Sequence, residues 1–301
     1  MKKIVVIGSL NMDCVFETPF IPRAGETIAG RNLTCLPGGK GANQAYAVEK
    51  LGSHVALIGA IGNDSFGETL LENVKSVGVD TEGIAVLKGE STGEAFVDVD
   101  PQGENAIVVL AGANGLVDKE MITKNIHLIE EADIILMQFE IPFETVSYVK
   151  DLAANMGKTV ILDPAPARPN VPDSFWDGID YIKPNQRELE VLTGQPVRDQ
   201  EEIRMAAQVM VEKGVKHVIA SMGADGCLLA TRTSQMIYPA RQVRAVDTTA
   251  AGDCFTAAFA VALSEGKSEE DAINYAQRAA AISVTRRGAQ PSMPSRGEVE
   301  R

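Results

Sequence analysis

The string Val246-Asp247-Thr248-Thr249-Ala250-Ala251-Gly252-Asp253-Cys254-Phe255 gathers the residue types that transfer of a phosphoryl group requires. It follows strand-like sequence and predicts a helix over 255–263. The small residues Ala250, Ala251 and Gly252 leave backbone N–H groups open to close approach, and the helix dipole adds positive potential there. Such a turn would hold the charge that develops on a phosphoryl group in flight. Asp253 carries the wrong sign to help bind phosphate. It suits a general base that takes the proton of an attacking hydroxyl. A plainer role is also open to it, since first-turn acids complement the helix dipole.

A second group of chemically useful residues lies near the N-terminus. Gly8-Ser9-Leu10-Asn11-Met12-Asp13 places Asn11 and Asp13 just past the first predicted strand, at the sheet edge where α/β proteins bind ligands. Gly38-Gly39-Lys40-Gly41-Ala42-Asn43 is a turn leading into a predicted helix over 42–51. A carboxylate and two amides suit sugar hydroxyls, which both donate and accept. Taken singly, each could instead form an Asx turn. Other glycine strings fail their motifs. Gly8 is not followed by the dinucleotide-binding spacing, and Gly157-Lys158-Thr159 and Gly266-Lys267-Ser268 lack the first glycine of a P-loop.

Short apolar runs alternate with amphipathic stretches, which predicts an α/β sheet. Strands are expected over 3–8, 55–60, 132–137, 159–163, 179–183, 216–220 and 226–231. They lack polar alternation, as expected for strands covered on both faces. Phe66, Leu70, Val74 and Val77 form one helical stripe; Val146, Val149, Ala153 and Met156 form another. Asp199 with Glu202, and Ser268 with Asp271, predict helix starts, and glycines 157, 214 and 266 predict stops. Residues 11–36 and 90–110 break this rhythm with β-rich sequence and a turn at Asp100-Pro101-Gln102-Gly103. They are expected to form a small antiparallel sheet that serves as a lid or an oligomer contact.

The chain has 301 residues and a net charge of −13, which argues against non-specific binding to nucleic acid or an anionic membrane. The four cysteines, Cys14, Cys35, Cys227 and Cys254, show no C-x-x-C spacing and read as reduced thiols. His54, His127 and His217 are too scattered for a histidine-rich metal site. The N-terminal apolar stretch is too short for a signal-peptide core or a membrane span. A cytoplasmic protein is expected.

Taken together, these strings resemble the ribokinase branch of the phosphofructokinase-B-type sugar kinases along almost the whole chain. The two family signatures match Gly38-Gly39-Lys40-Gly41-Ala42-Asn43-Gln44-Ala45 and Asp247-Thr248-Thr249-Ala250-Ala251-Gly252-Asp253. Further matches are Pro22-Arg23-Ala24-Gly25-Glu26-Thr27, Gly112-Ala113-Asn114, Asp163-Pro164-Ala165-Pro166-Ala167, Pro184-Asn185 and Arg287-Gly288-Ala289-Gln290-Pro291-Ser292. The resemblance implies one three-layer α/β/α domain over 1–301, with a central, mostly parallel sheet and a β-sheet lid from 11–36 and 90–110. It implies ATP-dependent phosphorylation of a sugar's primary hydroxyl, with D-ribose the expected acceptor, and a homodimer formed through the lid. Same-fold kinases of ketohexoses, nucleosides or deoxyribose are the alternatives, followed by a non-catalytic sensor.

The resemblance also assigns roles. Asp253 is the expected base, and Ala250, Ala251 and Gly252 form the expected anion hole. Sugar contacts fall on Asn11, Met12, Asp13, Gly39, Lys40, Gly41, Ala42, Asn43 and Glu140. ATP contacts fall on Asn185, Glu188, Ser221, Met222, Gly223, Ala224, Asp225, Gly226, Gly252 and Gln277. Asn185 and Glu188 also help place Mg2+ through water. Asp247, Thr249, Val284, Arg287 and Ala289 form a loop for a monovalent cation, K+ being expected. Four departures stand out: Ala250 replaces a usual glycine, which is tolerable if its φ is negative, Asp163 stands where asparagine is common, Ser221-Met222-Gly223 replaces Thr-Leu-Gly, and Pro184-Asn185-Gln186 lacks the usual acid directly after the asparagine, though Glu188 remains. Asn11, in place of an apolar residue, favours ribose over deoxyribose.

Overall fold

The uniformly apolar runs become the strands of one large sheet in the computed structural model, which describes residues 2–301. In chain order the strands are β1 (Ile4–Ile7), β2 (Asn11–Glu17), β3 (Arg31–Gly38), β4 (Val55–Gly62), β5 (Ile84–Leu87), β6 (Gly93–Val99) and β7 (Asn105–Leu110). There follow β8 (Ile134–Gln138), β9 (Thr159–Asp163), β10 (Tyr181–Ile182), β11 (His217–Ser221), β12 (Cys227–Thr231) and β13 (Gln235–Tyr238). The helices are α1 (Lys40–Lys50), α2 (Ser65–Ser76), α3 (Lys119–Lys124), α4 (Ile126–Glu131), α5 (Phe143–Asn155), α6 (Gln186–Thr193), α7 (Gln200–Glu212), α8 (Ala251–Ser264), α9 (Glu269–Ser283) and α10 (Arg296–Val299).

The main sheet runs β13-β12-β11-β10-β9-β8-β1-β4-β5, parallel except at β11-β12-β13. Alternate residues of β1 enter opposite cores. Ile4 and Val6 pack with α1, α8 and α9, whereas Val5 and Ile7 pack with α5, α6 and α7. This two-sided burial explains the missing polar alternation. The chain builds outward from β1 through β4 and β5, then returns to β8 on β1's other edge. A switch of this kind opens a crevice at the carboxyl ends of the strands. α8 lines that crevice and is buried on nearly every side, with Ala257, Ala258, Ala260 and Ala262 fully covered. The expected caps form: the Asp199 carboxylate accepts from the Glu202 N–H at 2.9 Å, and the Ser268 hydroxyl accepts from the Asp271 N–H at 3.2 Å. Among the described residues no helix is long and apolar enough to cross a membrane.

Four expectations need correction. The lid sheet, β3-β2-β6-β7, is mixed, because β2 and β6 run parallel. Chain connection through β4, α2 and β5 separates these two strands and brings β6 back in β2's own direction. Cys14 and Cys35 are not free thiols. They face each other across β2 and β3 with Cα atoms 4.1 Å apart and form a disulfide, a pairing that linear spacing does not reveal. β5 and β13 lie outside the expected strands; both are four-residue strands at the sheet's edges, where burial imposes little pattern. Finally, α1 and α8 begin earlier than the apolar spacing suggests, so Lys40 and Asp253 stand in first turns.

Candidate active site

α8 starts with its first turn unprotected. No side chain caps it, and Ala250 at the N-cap has φ +57° and ψ 14°. The condition of a negative φ at Ala250 is therefore not met: the chain enters the helix from Thr249 through a left-handed residue. Thr248 accepts from the Ala251 N–H at 3.2 Å and Ala250 accepts from the Cys254 N–H at 2.9 Å. The N–H groups between them, on Gly252 and Asp253, have no acceptor among the described residues, as an anion site would require. A Cβ on Gly252 would lie 2.7 Å from Lys183 Nζ, so a side chain there would displace the lysine's ammonium.

Asp253 is 5% exposed and fixed by two amides. Asn43 Nδ2 donates to its Oδ2 at 2.9 Å, and Gln44 Nε2 donates to its Oδ1 at 3.1 Å. Both amides come from α1, which is brought to α8 by the glycine turn before it. Gly39 has φ +85°, and a Cβ on Gly41 would lie 2.6 Å from the backbone of Gly8 and Ser9. Burial pushes the Asp253 carboxyl above the ordinary carboxylate value, and Asp163 adds to this; the Lys40 ammonium and the two amides oppose it. Burial alone would depress Lys40, but Asp253, Glu140, Asp163 and Glu188 outweigh it and hold its ammonium above the usual value.

The expected sugar-side groups meet on one side of Asp253. Glu140 Oε2 accepts from the Ser9 hydroxyl at 2.5 Å and from the Lys40 N–H at 3.0 Å. Asn11 is buried, and its Oδ1 accepts from Asn114 Nδ2 at 2.8 Å, which leaves its own amide donors for a ligand. Asn114 also clamps Leu10 through both its N–H and its carbonyl, which accounts for the Gly112-Ala113-Asn114 match. Asp13 is pushed up to about 7, first by burial and then by Glu140, with Lys40 opposing and Asp253 adding. Met12 and Ala42 do not join this group. Strand alternation turns Met12 away from Asn11 and Asp13, and both apolar side chains sit in the core.

On the other side of α8's first turn lies a cleft of about 310 Å³, lined by Ser221, Gly223, Ala224, Gly226 and Gln277 together with Gly252. Met222 turns into the core and Asp225 is exposed outside this lining, so the structure separates these two from the expected set. Asn185 and Glu188 lie at the end of β10 and close a capping box at the start of α6. Glu188 Oε2 accepts from the Asn185 N–H at 2.8 Å, and Asn185 Oδ1 accepts from the Glu188 N–H at 2.8 Å. Burial, then Asp163, raises the Glu188 carboxyl above its ordinary value.

The residues expected around a monovalent cation are tied together by Asp247. Asp247 accepts from Thr249 N and Oγ1 at 2.9 and 2.6 Å and from the Gly288 N–H at 2.8 Å. Burial opposes its charge, but these bonds and Arg287 hold its carboxyl below the ordinary value. The Val284 carbonyl already accepts from the N–H groups of Val246 and Asp247, and the Ala289 carbonyl from Ser292. Those two expected ligands are thus engaged by protein.

Four residues to which the sequence assigned no site role, Asp163 and Gln44 among the matched strings and Gln138 and Lys183 outside them, join this cluster. Lys183 and Asp163 form a buried ion pair, with Nζ 3.3 Å from Oδ2. Gln44 Nε2 donates to Asp163 at 3.1 Å as well as to Asp253, and Gln138 Nε2 donates to Gln44 Oε1 at 2.7 Å. Each lies at a strand's carboxyl end or on α1's inner face, but polar residues at such places carry no periodic signal.

The pattern of the pfkB family carbohydrate kinases matches residues 1–296. A ribokinase of Haemophilus influenzae is 41% identical over 297 residues, covering 99% of this chain and 97% of its own. A deoxyribokinase of Salmonella typhi is 37% identical, covering 97% of this chain and 95% of its own. The solved structure of an Arabidopsis thaliana ribokinase complexed with ribose and ATP superposes with a TM-score of 0.91 at 35% identity, covering 99% of this chain and 97% of that one. Beside the uncapped helix and the polar cluster around Asp253, these likenesses have one meaning: the chain belongs to the pfkB family of carbohydrate kinases.

Proposed function

We propose that the protein phosphorylates D-ribose on its primary hydroxyl, using ATP, to give D-ribose 5-phosphate. The observation that carries this reading is the position of Asp253. It stands between the sugar-side cluster of Asn11, Asp13, Asn43 and Glu140 and the cleft beyond Gly252, in the same turn whose N–H groups are open. Asp253 takes the proton of the attacking hydroxyl, and the N–H groups of Gly252 and Asp253 receive the charge on the phosphoryl oxygens. Asn11 keeps its amide protons free and offers a donor to one more hydroxyl than deoxyribose carries. The likeness to a deoxyribokinase keeps deoxyribose as the second reading.

Glu188 fits a divalent ion carried with ATP, because its second carboxylate oxygen lies outside the capping box and is the hard donor that Mg2+ takes. Such an ion would neutralise phosphate charge. For a monovalent cation such as K+, the carbonyls of Asp247, Thr249 and Arg287 are the better donors, because those of Val284 and Ala289 are engaged. The chain's overall charge of −13 leaves phosphate binding to N–H groups, Lys183 and these ions. A homodimer through the lid completes the proposal.

Turnover on ribose, deoxyribose, a ketohexose and a nucleoside tests the acceptor. Ribose should give the highest kcat/KM; deoxyribose ranking first would replace it. Asp253→Asn should lose about 10²–10⁴ in kcat at similar sugar affinity, whereas a wild type that binds sugar and forms no phosphorylated product would indicate a sensor.

A further inference from the structure

Resting on that reading for the identity of the base, we propose that Gln290 is a positioning residue that sets the orientation and ionisation of Asp253 through Asn43. Gln290 is 2% exposed, in a short turn after α9. Its Nε2 donates to Asn43 Oδ1 at 3.1 Å, and Asn43 Nδ2 donates to Asp253. On its far side, Gln290 Oε1 accepts from Asn73 Nδ2 of α2.

The direction of this chain is imposed by its last member. An ionised carboxylate only accepts, so Asn43 must turn its NH2 toward Asp253 and its oxygen away. That oxygen needs a donor, so Gln290 must present its NH2. The Gln290 oxygen then points back, and Asn73 supplies the proton. Reversing any one amide sets oxygen against oxygen or NH2 against NH2. Three side-chain dipoles therefore point their positive ends at Asp253, in an interior where such alignment counts most.

The carboxylate needs this support. Asp163 faces it from β9 across Gln44, and Asp13 and Glu140 stand on the sugar side; burial disfavours its charge as well. Lys40 from α1 favours ionisation, and Lys183 lies beside Gly252. The same loop has a second hold on the site. Gly288 N–H donates to Asp247, whose carboxylate also binds Thr249 just before the open turn of α8. Residues 288–290 thus tie the base's amide and the anion-hole turn to one piece of backbone.

The test uses Gln290→Glu, which when ionised cannot donate to Asn43, Gln290→Leu, which removes the amide, and Asn73→Leu, one bond further out. The Asp253 carboxyl is titrated by 13C NMR against an Asp253→Asn assignment control, and the acid limb of kcat is measured on ribose. The Gln290 variants should raise the Asp253 midpoint by at least about half a pH unit and lower kcat about ten-fold, with ribose affinity within about two-fold. Asn73→Leu should move the midpoint the same way by less. A midpoint unchanged in Gln290→Leu and Asn73→Leu, even with a lowered Tm, would overturn the proposal and leave Gln290 a packing residue. Absence of sugar phosphorylation by the wild type would instead overturn the functional reading, while the NMR midpoint still judges the relay.

Discussion

Gln44 Nε2 donates to Asp253 Oδ1 at 3.1 Å and spends its other proton on Asp163. One amide thereby keeps two buried carboxylates apart and oriented. Gln44→Leu should cost about 1–3 kcal/mol of stability, because both carboxylates lose a donor without gaining water. It should also lower kcat, since Asp253 loses one of its two fixing bonds. Urea unfolding and steady-state kinetics check the two effects; unchanged values for both would remove Gln44 from the site.

Lys183 and Asp163 are buried together, at 6% and 2% exposure. Lys183→Met leaves Asp163 as an uncompensated charge and should destabilise the protein by about 3–5 kcal/mol. The double variant with Asp163→Asn should recover most of that loss, because both charges are then gone. A double variant as unstable as Lys183→Met would show that the cost lies in packing rather than charge.

Ala250 occupies a conformation that penalises its Cβ. Ala250→Gly should relieve roughly 1 kcal/mol of that penalty, reduced by the greater freedom glycine has when unfolded. The expected result is a Tm raised by about one to three degrees with kcat not lowered. A falling Tm would mean that the alanine methyl group packs better than its backbone suffers.

Asp13, held at about 7 against an ordinary value of 3.8, makes the folded state the better proton binder between those values. Stability must then decline as pH rises from about 4 to about 7 and level off above, at no more than about 1.4 kcal/mol per pH unit. Asp13→Asn should flatten this decline. Denaturant unfolding across pH 4–8 supplies the comparison, and parallel curves for wild type and variant would contradict it.

β7 is an edge strand of the lid whose residues Ile107, Val108, Val109 and Leu110 are all more than half exposed. Such an edge invites pairing or coverage. Under the proposed dimer, Val108→Asp should weaken self-association at least about ten-fold, as read by sedimentation velocity. A wild type that sediments as a monomer at micromolar concentration would rule this interface out.

The main sheet was legible from β1, β4, β8, β9, β11 and β12, because burial on both faces forces apolar runs. The edge strands β5 and β13 were not, since exposure relaxes that demand. Among the chemical residues, Asp253 and Asn43 stood out because backbone geometry confines them to glycine-containing turns. Apolar runs and turn residues were enough to specify the α/β plan, the two turns and the residue types they present. Tertiary structure alone decided the parallel pairing of β2 with β6, the Cys14–Cys35 bridge, the left-handed Ala250 and the Gln44, Lys183 and Gln290 contacts. The physical reason is separation along the chain. A hydrogen bond between residues 43 and 290, or an ion pair between 163 and 183, depends on where the strand ends meet, and no local periodicity records that meeting.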